Sequence, residues 1–246
     1  MNVTTELLEL PSLRLRVFVP GGAGKFPGVL AFSDIFQHTA AHVRLCTRFA
    51  ARGFVVVSPE LYGRFEPRGT VFDFEADRQR ALDAAAKLQL AWLDEDLAAS
   101  LAAVQAHPRV VEGPVHALGW CLGGHLAFRA ACSPEVRSTV CFYATGLHSD
   151  SVGAAVGAAP SLARAGEVKG ELLMVWGSRD PHIPREGRQK IHGALAAAGT
   201  AVHSLTFDAE HAFMRDEGPR WEPAAADEAF GAAVRLLTRE LFVSFS

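Results

Sequence analysis

At 246 residues, with 49% hydrophobic and 21% charged side chains, the chain is long enough for one doubly wound core and too apolar to stay disordered. A formal net charge of −3 with scattered Lys and Arg lacks the basic stripe of a nucleic-acid binder, so small molecules are the expected partners. The first eleven residues carry Glu6 and Glu9 without a basic start or an apolar core, so neither a secretory signal nor a membrane span is expected, and the cytoplasm is the expected location.

Short apolar, β-branched runs predict strands over residues 14–19, 28–32, 54–58, 115–118, 139–143, 172–176 and 202–207. Between them, helices are predicted over 42–52, over an Ala-rich stretch at 77–107 broken near Asp94, and over 124–132, 185–198 and 225–241. Gly53 and Gly199 stand where helix stops are needed. Several strands are apolar on both faces, which implies a mostly parallel sheet with helices on both faces. The segment 146–170, rich in Gly, Ala and Ser, reads as an excursion before the next strand, a surface loop first and a pocket border as the alternative. No repeat or linker divides the chain, so residues 1–246 are expected to form a single α/β domain.

Four cysteines, Cys46, Cys121, Cys132 and Cys141, show neither a CxxC pair nor metal-ligand spacing, and no metal or organic cofactor is expected. Three read as small buried hydrophobes. Cys121 differs through its neighbours: the strand at 115–118 runs into Gly119-Trp120-Cys121-Leu122-Gly123-Gly124 and then a helical run. This is the G-x-S-x-G elbow with Cys in place of Ser. Its turn is so tight that side chains two positions either side of the nucleophile would collide, hence Gly119 and Gly123. A helix N-terminus beside the sulfur favours a thiolate, and the Leu122 N–H is placed as an oxyanion donor.

An elbow of this type needs an acid and then a histidine, each after a later strand. Asp180 follows the strand at 172–176 and His211 follows the strand at 202–207, which supplies an orienting carboxylate and a base in the required order. His182 and Glu210 are rivals for these roles, less well placed.

With these residues the chain, from about Leu13 to Phe242, resembles the dienelactone hydrolase family, the carboxymethylenebutenolidase-like branch of the α/β-hydrolases. The marks are Ser33-Asp34-Ile35-Phe36, Val57-Ser58-Pro59-Glu60-Leu61-Tyr62-Gly63, Asp77-Arg78-Gln79-Arg80, the Cys121 elbow, and Glu210-His211-Ala212-Phe213-Met214-Arg215. The resemblance implies a Cys121, His211 and Asp180 triad that opens an enol-lactone through an acyl-enzyme. It also implies that Arg80 and Arg215 hold the substrate carboxylate and that the Ile35 N–H is a second oxyanion donor. Where the family has a Glu that helps form the thiolate, this chain has Asp34, one methylene shorter.

Phe36, Tyr143 and Phe213 are candidate pocket aromatics. The expected reaction is hydrolysis of a small lactone or ester, carboxylate-bearing, by a monomer or small homo-oligomer. The alternatives are a broader carboxylesterase or thioesterase acting on uncharged acyl groups, and a scaffold that binds ligands without turnover.

Overall fold

The computed structural model describes residues 1–238, and the predicted helical residues 239–241 lie outside them. The chain begins with two antiparallel strands, β1 (Val3–Glu9) and β2 (Arg14–Pro20), followed by β3 (Gly28–Phe32), α1 (Ala40–Ala50) and β4 (Val55–Pro59). It continues through α2 (Arg78–Lys87), α3 (Leu90–Ala106), β5 (Val115–Trp120), α4 (Leu122–Ala131) and β6 (Val136–Phe142). The last third holds β7 (Glu171–Gly177), α5 (Arg185–Ala197), β8 (Val202–Phe207) and α6 (Pro223–Thr238).

All eight strands join one sheet in the order β1-β2-β4-β3-β5-β6-β7-β8. Pairing is parallel from β4 across to β8, and antiparallel only where β2 meets β1 and β4. Helices cover both faces. Phe49 of α1 meets Phe230 of α6 at 4.6 Å between ring centroids, and Arg129 of α4 grips Asp94 of α3. Because β3, β4 and β5 are buried along their whole length, their sequences read as apolar runs interrupted only by Ser58 and His116. Among the described residues, no helix is long and apolar enough to cross a membrane.

The structure departs from the sequence expectation at two elements. Strand β1 was not predicted: it sits at the sheet edge with nearly every residue exposed, so Val-Thr-Thr-Glu-Leu-Leu-Glu shows no buried face. The Ala-rich helical stretch breaks at Leu88 and Gln89, not near Asp94. Leu88 is buried in an extended conformation, and its carbonyl accepts the Ala154 N–H at 2.7 Å, so tertiary contact sets the break. Gly53 and Gly199 do adopt positive φ, 92° and 69°, at the ends of α1 and α5.

Four histidines are buried with pKa values pushed down mainly by burial: His38 to about 3, His116 and His125 to about 4, and His42 well below the usual range. Native imidazoles therefore stay neutral while unfolded ones take up protons below about pH 6.5, so their contribution is fully present above that pH and lost as pH falls. Denaturant midpoints are expected to drop between pH 6.5 and 4.5, with a slope of about 1.4 kcal/mol per pH unit for each coupled histidine. A flat profile over that window would refute this. His42→Gln is expected to reduce the slope.

Candidate active site

The sheet delivers its chemistry at the carboxyl ends of its parallel strands, where open α/β sheets bind ligands. Asp34 and Ile35 follow β3, Cys121 follows β5, Thr145 follows β6, Asp180 follows β7 and His211 follows β8.

Cys121 occupies the elbow between β5 and α4 with φ 58°, ψ −120°, a conformation that L-residues rarely adopt. The glycines make the turn feasible. A Cβ on Gly119 would lie 2.0 Å from the Gly123 carbonyl oxygen. The strained residue is pinned from both sides: the Cys121 N–H donates to the Phe142 carbonyl at 3.1 Å, and the Thr145 N–H donates to the Cys121 carbonyl at 3.1 Å. Of the four thiols, only Cys121 is part-exposed; Cys46, Cys132 and Cys141 are buried.

His211 Nδ1 lies 2.7 Å from Asp180 Oδ2, both side chains being almost fully buried, and the imidazole is near enough to Cys121 to feel a charge on its sulfur. The second Asp180 oxygen, Oδ1, accepts the His182 N–H at 2.8 Å. Burial alone would raise the Asp180 pKa, but the bonds from His211 and His182 outweigh it and hold the carboxyl below its usual value. For His211, burial pushes down while the charge of Cys121 and the Asp180 carboxylate push up, and the net result is a pKa of about 10. The edge of the Tyr143 ring rests on His211 at 5.0 Å between centroids.

These groups open into a cavity of about 830 Å³ that includes Cys121, His211, Asp34, Ile35 and Leu122 in its wall. The Leu122 N–H begins α4 and is one of the donors a helix leaves free. The Ile35 N–H has no acceptor among the described residues. Both amides are therefore unspent, and both residues line the cavity. Among the described residues no group of three or more His, Cys, Asp or Glu is arranged for a metal ion.

The model of the dienelactone hydrolase family matches residues 13–241. The chain belongs to the dienelactone hydrolase family. Among its relatives, a Saccharomyces cerevisiae protein is 32% identical over 94% of this chain and 88% of its own length. The carboxymethylenebutenolidase of Pseudomonas sp. (strain P51) is 30% identical over 88% of this chain and 86% of its own length. The crystal structure of a Klebsiella pneumoniae protein superposes with a TM-score of 0.79 at 21% identity, covering 97% of this chain and all of that one, which supports the α/β-hydrolase fold.

As a dienelactone hydrolase family member, the protein is a hydrolase of ester or lactone bonds. Several residues singled out from sequence lie elsewhere than expected. Arg80 is exposed, pairs with Glu66 at 2.7 Å and lies over the Phe72 ring, outside the cavity wall; the arginine of α2 that reaches the wall is Arg78. Two positions along a helix turn a side chain to a different face, which separates these neighbours. Arg215 does line the cavity, with its guanidinium 3.8 Å above the Phe74 ring centroid, and Phe36 lines it beside Phe74.

Tyr143 and Phe213 are buried behind the wall, packed on one another and, in the case of Tyr143, on His211, so they support the site without lining it. Asp34 uses Oδ1 to accept the Phe36 N–H at 2.9 Å, closing its own turn, and burial raises its pKa. Glu210 pairs with Arg220 at 3.4 Å and does not line the cavity, whereas His182 lines it with its ring 4.7 Å from that of His211. The excursion 146–170 is not simply surface: Gly146, His148, Ser149, Ser151 and Gly153 form one side of the cavity. Sequence reading missed Arg78, His148 and Thr145. Thr145 follows the end of β6 just as Asp34 follows β3, and that strand-end position was the available signal.

Proposed function

We propose that the protein opens enol-lactones, dienelactone (carboxymethylenebutenolide) being the type substrate, to the keto acid through a thioester on Cys121. The observation that carries this reading is the Asp180–His211 hydrogen bond with His211 and Cys121 together in the wall of a cavity that also holds Arg78, Arg215 and Arg220.

In this reading the Cys121 thiolate attacks the lactone carbonyl, forming the S–C bond while the carbonyl electron pair moves onto oxygen between the Ile35 and Leu122 N–H groups. Collapse breaks the ring C–O bond. The departing enol oxygen takes the proton from the His211 imidazolium, and the enol then tautomerises to the ketone. Acylation removes the charge on sulfur, the largest of the influences that raise the His211 pKa, while burial keeps pushing it down. His211 is thereby returned as a neutral base that can take a proton from water, and the thiolate leaves as the acid forms.

In this reading Arg215 and Arg78 hold the substrate carboxylate, supported by their place in the cavity wall. A guanidinium hydrogen bond to a charged group is worth about 1.5–3 kcal/mol, with exposed Arg78 at or below the low end. Arg215→Ala is expected to raise KM for a carboxylate-bearing dienelactone by about tenfold or more and Arg78→Ala by several-fold, while Arg80→Ala stays within about twofold. Initial rates on that lactone and on its methyl ester check this; equal effects on the two would remove the carboxylate reading. Turnover of neither, with no acyl adduct on Cys121 by mass spectrometry, would remove the lactonase reading itself.

A second reading, a broader carboxylesterase or thioesterase on uncharged acyl groups, draws support from the cavity. Its volume exceeds what one small lactone fills, and Asp73 and Glu75 in the wall offset its arginines.

A further inference from the structure

Thr145 Oγ1 lies 3.3 Å from Cys121 Sγ, and nothing in the reaction described above uses it. The same hydroxyl is 3.4 Å from the Tyr143 carbonyl, so its proton has two acceptors within reach, the sulfur and a backbone oxygen. Thr145 lines the cavity beside the nucleophile.

Behind Thr145 runs a chain of buried polar groups whose directions are fixed by elementary donor and acceptor rules. The Thr145 carbonyl, 3.2 Å from His125 Nδ1, can only accept, so Nδ1 carries the imidazole proton. His125 Nε2 then accepts from Ser161 Oγ at 2.7 Å. Ser161 Oγ in turn accepts from Arg129 Nη1 at 2.9 Å, and Arg129 is clamped by Asp94 through contacts of 2.6 and 2.7 Å. Every link has one donor and one acceptor, with His125 fully buried and neutral. So much buried polar structure converging on one carbonyl holds the Thr145 loop in a single position.

Resting on the thioester reading, we propose that Thr145 is a further catalytic residue, whose hydroxyl donates a hydrogen bond to the Cys121 thiolate, and that His125 and Ser161 are positioning residues that set its place. When the sulfur carries the charge, before attack, the O–H donates to it. When the sulfur attacks and its charge passes to the carbonyl oxygen, the O–H turns to the Tyr143 carbonyl. When the thioester collapses and the C–S electron pair returns to sulfur, the O–H donates to it again. No proton leaves Thr145 at any step. The donor favours the thiolate both as the attacking species and as the leaving group.

The test is the pH dependence of Cys121 alkylation by iodoacetamide, a reading dominated by Cys121 because the other thiols are buried. Thr145→Val keeps the shape and removes the donor. The titratable groups around the sulfur, His211, Asp34, Tyr62 and Tyr143, are unchanged in that variant. The alkylation midpoint is expected to move up by about one pH unit. Thr145→Ser is expected to restore it, and Ser161→Ala to move it in the same direction by less. A Thr145→Val profile that superimposes on that of the unaltered protein, with unchanged circular dichroism, would overturn the proposal. So would a shift that Thr145→Ser fails to reverse. Alkylation is read without turnover, so this failure is separable from failure of the thioester reading, which would show as full activity in Cys121→Ala.

Discussion

Cys121→Ala and His211→Ala are each expected to lower kcat on a responsive lactone or ester by about 10⁴-fold or more, and the double variant to lose little beyond either one. The reason is the arrangement of the site: His211 is bonded to Asp180 at 2.7 Å and shares the cavity wall with Cys121, and on the proposed mechanism neither residue performs its step alone. What survives is the contribution of the Ile35 and Leu122 N–H groups, which requires neither side chain. Asp180→Asn is expected to fall short of this loss. It keeps the volume but replaces a buried acceptor-only carboxylate with an amide that can present a donor to Nδ1, favouring the wrong tautomer of His211. Steady-state rates of the four variants, with circular dichroism to confirm folding, check this. Additive losses in the double variant would show that Cys121 and His211 act independently.

The elbow was legible in the sequence because its requirements are local. A strand, a tight turn that excludes Cβ atoms, and a helix leave a pattern within six residues, and the acid and base follow as single residues after recognisable strands. The central strands were legible because β3, β4 and β5 are buried on both faces, so that apolar residues dominate them and only Ser58 and His116 interrupt the pattern. What was not legible depends on contacts between distant segments. Leu88 ends α2 because Ala154 donates to its carbonyl, a bond across 66 residues that no local propensity encodes. Arg78 and Arg80 differ in sequence by position alone, and only the packing of α2 on Phe72 and Glu66 decides which one faces the cavity. The excursion 146–170 has the composition of a surface loop because its backbone has to pass close to its own Ser151 at Gly146 and to Leu88 at Gly153. A Cβ at either glycine would come within about 2.2 Å of a carbonyl oxygen.

Gly123→Ala is expected to be among the most damaging single substitutions in the protein. Its Cβ would lie 2.2 Å from the Phe32 carbonyl oxygen and 2.4 Å from that of Ser33, both backbone atoms at the end of β3, so no side-chain rotation relieves the overlap. Either α4 lifts from the sheet or the end of β3 moves, and both lose packing in a core where α4 is buried along its length. A loss of more than about 4 kcal/mol is expected, large enough to unfold a protein of ordinary stability. If the chain still folds, the displaced segment is the one that carries Asp34 and the Ile35 N–H, so turnover should fall even at temperatures where the variant is native. Gly193 of α5 is the control. A Cβ there meets nothing within 4 Å and the residue has helical backbone, so Gly193→Ala is expected to stabilise by up to about 1 kcal/mol. Urea midpoints of the two variants, measured beside the unaltered protein, separate the cases. A Gly123→Ala midpoint close to that of the unaltered protein would mean that α4 and β3 are not packed against each other as closely as described.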